Sequence, residues 1–94
     1  MKFPESKTKI VCTLGPVSNN KKIIKELVAA GMNVARLNLA HDDIEYHRKT
    51  LNNIREVEKE LDIFLPVMMD IPGPKIRIGE IKDGPILLKK GQII

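Results

Sequence analysis

Gly31-Met32-Asn33-Val34-Ala35-Arg36-Leu37-Asn38-Leu39-Ala40-His41 reads as one strand of a buried sheet. A glycine opens it, apolar residues dominate it, and the charged pair Asp42-Asp43 follows it. Side chains alternate across a strand, so Ala35, Leu37 and Leu39 share one face, and Val34, Arg36, Asn38 and Ala40 share the other. The first face is apolar and suits packing against helices. The second starts apolar and turns polar toward its C-terminal end. An arginine in mid-strand with an asparagine two residues on is costly to bury without partners. Two readings follow. Arg36 reaches water from an edge strand, or the polar end of the strand lines an anion-binding cleft.

Working outward, the preceding segment Thr8–Leu14 reads as a first strand, with Ile10, Val11, Cys12 and Leu14 forming a nearly continuous apolar run. That pattern fits a strand covered on both faces, as in a parallel sheet. Cys12 within it reads as a small buried apolar residue. Gly15-Pro16 ends the strand. Ser18 to Asn20 offer N-caps for a first helix, in which Ile23, Ile24, Leu27 and Val28 form the apolar stripe, and Gly31 is its C-terminal stop. Beyond the organising strand, Asp42 or Asp43 caps a second helix, with Glu45 in its first turn favoured by the helix dipole. Leu51, Ile54, Val57 and Leu61 give that helix its sheet-facing period, and His47 reads as a surface residue without metal-ligand neighbours. Phe64 to Met69 then reads as a third strand, with Pro66 near its start and Asp70 at its end. The order βαβαβ points to a parallel α/β sheet joined by right-handed crossovers. In such sheets ligands bind at the rim formed by the C-terminal ends of the strands, where Asn38 and Asp70 fall.

After Asp70 the pattern changes. Ile71-Pro72-Gly73-Pro74 is a stiff breaker, Ile76 to Lys82 alternates, and Asp83-Gly84-Pro85 and Lys90-Gly91 are turn signals. This is the pattern of an antiparallel meander. It divides the chain into an N-terminal arm (1–7), a parallel α/β part (8–73) and the start of a small antiparallel β domain (74–94). The final Ile93-Ile94 lies in an apolar run, which reads as a chain cut within a domain.

Composition narrows the function classes. The 94 residues suit one small domain or part of a larger one. The hydrophobic fraction is 43% but aromatics are only 3%, so the core is aliphatic. The net charge of +4 suits a phosphorylated small molecule. Nucleic acid is disfavoured, because basic residues come no denser than pairs and few rings are available to stack on bases. One cysteine excludes an intrachain disulfide and fits a reducing cytoplasm. No apolar run reaches the ~20 residues needed to span a membrane.

Four motifs in register carry a resemblance: Thr8-Lys-Ile-Val-Cys-Thr-Leu-Gly-Pro16, Gly31-Met-Asn-Val-Ala-Arg-Leu-Asn38, Glu45-Tyr-His47, and Asp70-Ile-Pro-Gly-Pro-Lys-Ile-Arg-Ile-Gly79. Together they resemble the N-terminal part of pyruvate kinase, over essentially all of residues 7–94. That family transfers the phosphoryl group of phosphoenolpyruvate to ADP in glycolysis, using Mg2+ or Mn2+. Its core is a (β/α)8 barrel with a small β domain inserted after the third strand. The resemblance therefore implies a partial (β/α)8 TIM barrel followed by the beginning of that inserted domain.

Residue by residue, it implies the following roles. Arg36 corresponds to an arginine that contacts the transferring phosphate. A guanidinium offers a planar fork of donors and keeps its charge, which suits phosphoryl transfer by positioning and charge stabilisation. Arg77 corresponds to a second arginine near the nucleotide phosphates. Pro16, His41 and Tyr46 match positions near the nucleotide, and Asn38 and Asp70 match ligands of a monovalent-cation site.

Three departures bear on that cation. Ala40 and Ile71 replace a Ser and a Thr that offer oxygens, and Lys75 replaces a Glu. The pattern resembles members that need no potassium, with Lys75 pairing with Asp70 in place of the ion. A barrel takes ~250 residues, so the divalent-metal carboxylates and the catalytic lysine lie on strands beyond this sequence. The expectation is an N-terminal piece of a cytoplasmic phosphotransferase, not competent alone. It self-associates through its open strand edges. A non-catalytic anion-binding or assembly module remains the alternative.

Overall fold

The computed structural model describes residues 6–74 and 76–94. Its elements run β1 (Val11–Thr13), α1 (Lys21–Ala30), β2 (Val34–Asn38), α2 (Ile44–Leu61) and β3 (Val67–Asp70). The strands form one parallel sheet in the order β1-β2-β3, so the organising strand is central and flanked on both sides. The edge-strand reading of Arg36 is thereby set aside. The βαβαβ order and the parallel sheet are those expected of a partial barrel. Of the arm read at 1–7, only Ser6 and Lys7 fall among the described residues.

Each helix begins and ends on the chemistry of its caps. Asn20 caps α1, its side chain accepting from the Ile23 amide at 3.0 Å. Gly31 ends the helix with φ 118° and ψ 13°, and its N–H reaches the carbonyls of Leu27 and Val28. A side chain at that φ is strained, which is why a glycine stands where α1 turns into β2. Asp43 caps α2 by accepting from the Tyr46 amide at 2.8 Å, with Glu45 in the first turn and Lys59 in the last, both signs matching the helix dipole.

Both helices pack on one face of the sheet. Ala35 and Leu37 of β2 meet Ile24 and Val28 of α1 and Ile54 and Val57 of α2, with Leu14, Met32 and Leu65 completing an aliphatic core. Cys12 is half-buried against that core rather than fully enclosed. On α2, Ile54 and Val57 are buried as the period predicts, whereas Leu51 and Leu61 sit half-buried at its margin. The opposite sheet face carries no helix among the described residues. Val11 keeps 45% of its surface in water and Thr13 beside it is exposed, whereas Cys12 and Leu14 on the other side meet the core, so β1 is covered on one face and not two.

Three other expectations shift. β1 spans Val11–Thr13 rather than Thr8–Leu14, although the Ile10 carbonyl still accepts from the Val34 amide at 3.1 Å. β3 spans Val67–Asp70 rather than Phe64–Met69. Pro66 has no N–H to give the ladder, so pairing begins after it, and only its carbonyl takes part, accepting from Ala35 at 3.0 Å. Phe64 consequently lies outside the sheet and is exposed. The meander read after Gly73 does not form strands among the described residues of 76–94. Two of its turn signals are kept: Gly84 donates to the Ile81 carbonyl at 3.2 Å, and Gln92 to that of Lys89 at 3.1 Å. The alternating segments between them find no ladder partner, and alternation alone does not make a strand without one.

Candidate functional site

The uncovered face of the sheet carries the polar residues that alternation assigned to it. Register pairs Thr13 with Arg36, Arg36 with Met68, and Asn38 with Asp70. Paired residues of parallel strands point to the same side, so Thr13, Arg36, Asn38 and Asp70 share this face toward the C-terminal rim. Arg36 lies between two partners. Its Nη1 donates to the Thr13 hydroxyl at 2.9 Å, its Nε donates to Asp70 Oδ2 at 3.1 Å, and its Nη2 forms an ion pair with the same oxygen. The arginine side chain is 28% exposed and that of Asp70 is 48% exposed, so the pair is held together yet open to a ligand. Thr13 was not among the candidate site residues. Its place on the same alternating row as Val11 was the signal available for it.

Beside this cluster lies a cleft of about 380 Å³, lined by Thr13, Leu14, Gly15, Pro16, Asn38, His41, Asp42, Tyr46 and His47. Four candidates from the sequence, Pro16, Asn38, His41 and Tyr46, thus meet around one space. The walls are the β1–α1 loop, the β2–α2 loop and the first turn of α2. The β2–α2 loop is folded back on itself: the Asn38 Oδ1 accepts from the Ala40 amide at 3.1 Å, and the Asn38 carbonyl accepts from His41 at 3.3 Å. Arg77 is exposed and forms no hydrogen bond or ion pair with the cluster among the described residues. Lys75, and with it the expected pairing to Asp70, lies outside the described residues.

His47 corrects its expectation. It is not a surface residue but is 6% exposed, with Nε2 2.6 Å from the His41 carbonyl oxygen. It stands three, seven and ten residues before Thr50, Ile54 and Val57, on the same buried stripe of α2. Thr50, one turn further on, is buried on the same stripe, and its hydroxyl accepts from Asn19 at 3.2 Å.

Tyr46 has its hydroxyl buried without a partner. Burial, and then the charge of Asp42, raise its phenol above the ordinary range. A raised folded value means that this group's contribution to stability is complete below the ordinary phenol range and is lost as pH rises through the folded value. Tyr46 is the single tyrosine of the chain, so phenolate absorbance in an alkaline titration reads it alone. The Asp42→Asn variant is expected to move the midpoint down part of the way, leaving the burial share. Titration of the unsubstituted chain at the ordinary phenol value would contradict this account.

A family profile described as "Pyruvate kinase, barrel domain" matches residues 5–94. The chain belongs to the pyruvate kinase family. It is 43% identical over 91 residues to the pyruvate kinase of Thermococcus litoralis, covering 97% of this chain and 19% of the relative. It is 52% identical over 87 residues to a cytosolic isozyme of pyruvate kinase from Glycine max, covering 92% of this chain and 17% of the relative. Among solved structures, Cryptosporidium parvum pyruvate kinase matches with a TM-score of 0.70 at 48% identity, over 72% of this chain and 14% of that one. The chain therefore spans under a fifth of the length of these relatives.

The residues present can be compared with the ions used by pyruvate kinases. Among the described residues, no three His, Cys, Asp or Glu side chains come together to hold a metal ion. For a monovalent cation, the oxygens of Asn38 and Asp70 stand side by side, but one accepts from Ala40 and the other from Arg36. Ala40 and Ile71 contribute no side-chain oxygen. No helix among the described residues is long and apolar enough to cross a membrane.

Proposed function

We propose that this chain provides part of the substrate site of a pyruvate kinase, the enzyme that moves a phosphoryl group from phosphoenolpyruvate to ADP. Arg36 supplies the fork of donors that clamps the transferring phosphate. Pro16, Asn38, His41 and Tyr46 line the side where the nucleotide lies, and Arg77 contributes charge to its phosphates. The observation that carries this reading is the joint exposure of Arg36, Thr13 and Asp70 beside the cleft, at the strand rim where α/β sheets bind ligands. Phosphoryl transfer needs positioning and charge stabilisation, and a partly exposed guanidinium held at two points supplies both.

Catalysis requires the rest of the enzyme, of which this chain spans under a fifth. Mg2+ or Mn2+ belongs to that remainder. The engaged oxygens of Asn38 and Asp70, with Ala40 and Ile71 beside them, support a site that does without potassium, and Lys75 is the candidate to stand in for it. The division into a barrel part ending near Gly73 and an inserted β domain after it is part of the same proposal, as is a cytoplasmic location.

Calorimetric titration of phosphoenolpyruvate into the chain tests the site. Binding of equal strength with and without potassium is expected. The absence of any binding would remove the phosphate reading, and strong dependence on potassium would remove the cation reading. Self-association is a further part of the proposal, supported by β1 and β3, whose outer edges have no ladder partner among the described residues. Sedimentation is expected to show species larger than a monomer that grow with concentration; a single monomeric species throughout would refute it.

A further inference from the structure

The most deeply buried ionisable side chain beside the cleft is one to which neither the family motifs nor the ligand reading gives a role. His47 follows the first residues of α2, and 6% of its surface is exposed. A backbone carbonyl only accepts, so at 2.6 Å from the His41 oxygen Nε2 must carry the proton and donate. The other ring nitrogen, Nδ1, is buried with no partner. The ring is braced by Tyr46, whose edge meets it at 84° with centroids 5.3 Å apart.

The loop that receives this hydrogen bond needs an anchor. Asp42, next after His41, has φ 62°, the left-handed region that costs a non-glycine residue energy and persists only where surroundings impose it. Leu39 at the start of the loop donates to the Asp70 carbonyl at 3.0 Å, and Asp43 at its end caps α2. Between these ends Ala40 and His41 bond only back to Asn38, and the His47 ring is the side-chain tie from His41 to the helix, which Ile54 and Val57 fix to the core. The same side of α2 also secures the opposite wall. Thr50 accepts from the Asn19 side chain at 3.2 Å, and Asn53 donates to the Asn19 carbonyl at 2.9 Å. Positions 47, 50 and 53 follow one another at three-residue spacing, so one stripe of α2 holds both loops.

We infer that His47 is a positioning residue of the cleft, setting the place of Asn38 and His41 by holding the His41 carbonyl from below. The binding part of this inference rests on the phosphate and nucleotide reading given above; the loop-anchoring part does not. The test compares His47→Leu with His47→Gln, whose amide nitrogen can reach where Nε2 stands. Amide hydrogen exchange is followed by NMR, and ADP is titrated into each chain.

In His47→Leu, exchange at Ala40 and His41 is expected to rise about tenfold or more while Ile54 and Val57 keep their protection, a local opening and not a global one. ADP affinity is expected to fall about fivefold or more, and His47→Gln to recover most of both effects. Exchange at Ala40 and His41 changing by less than about twofold overturns the anchoring role. So does a uniform rise across α2 in both variants, which would make His47 a mere filler of the core. If His47→Leu loosens the loop but the unsubstituted chain binds no ADP, the nucleotide reading fails and the anchor stands. If ADP binds equally well to all three chains, the positioning inference fails and the nucleotide reading stands.

Discussion

Replacing Arg36 by alanine is expected to lower phosphoenolpyruvate affinity roughly 10- to 150-fold, the equivalent of ~1.5–3 kcal/mol for hydrogen bonds made by a charged group. The size follows from its surroundings. The guanidinium is anchored by Thr13 on one side and Asp70 on the other, so it arrives at the ligand already oriented and loses little side-chain freedom on binding. Its removal also leaves Asp70 without its counter-charge on the same face, which adds repulsion toward a phosphate. Asp70 is half-exposed and stays hydrated, so the fold itself should suffer little. Arg36→Lys keeps the charge but loses the planar fork and is expected to fall between the two. Calorimetry on the three chains checks this. Equal affinities for the alanine variant and the unsubstituted chain would sink the clamp.

The largest expected loss of stability is at Ile54. Its side chain is fully buried where α2 meets the sheet, in a core built of aliphatic residues. Truncation to alanine should cost ~2–5 kcal/mol, from lost transfer energy and the cavity left behind. A small domain has only ~5–15 kcal/mol to lose, so Ile54→Ala is expected to bring the chain near the limit of folding. The contrast is Met68→Ala on the uncovered face, where 46% of the side chain already meets water and the cost should be well under half as large. Urea unfolding followed by circular dichroism reads both. Equal midpoints for the two variants would show that the helix-covered face is not the one that holds the sheet together.

The legible parts of the fold were those decided by short-range chemistry. Alternation in Val34 to Asn38 separated the core side of β2 from its polar side, and Ala35 and Leu37 are buried as read. Ser18 to Asn20 and Gly31 bracketed α1, and Asp42-Asp43 the start of α2, because unsatisfied amides at helix ends demand particular neighbours; the structure selects Asn20 and Asp43 among them. The end of β3 at Asp70 was legible to within one residue, but its start was not. An apolar run shows where a strand is possible, and Pro66 then decides where its ladder can begin.

The site divides along the same line. The candidates Arg36, Asn38 and Asp70 come from one alternating face and from the rim of a parallel sheet, and they adjoin as that pattern requires. Thr13, His47, Thr50 and Asn19 were missed as partners because each depends on a residue at least six positions away or on another element. His47 is a separate case. Its spacing from Thr50, Ile54 and Val57 placed it on the buried stripe of α2, and reading it only for metal-ligand neighbours passed over that signal.

Local pattern, then, was enough to specify the order of elements, the short stretches that hold their caps and the two faces of β2, because those depend on residues a few positions apart. Folding in three dimensions was needed to set which partner Arg36 takes, where the cleft opens and which carbonyl His47 holds. These follow from contacts between elements, whose energies depend on distance in space and leave no periodic trace along the chain.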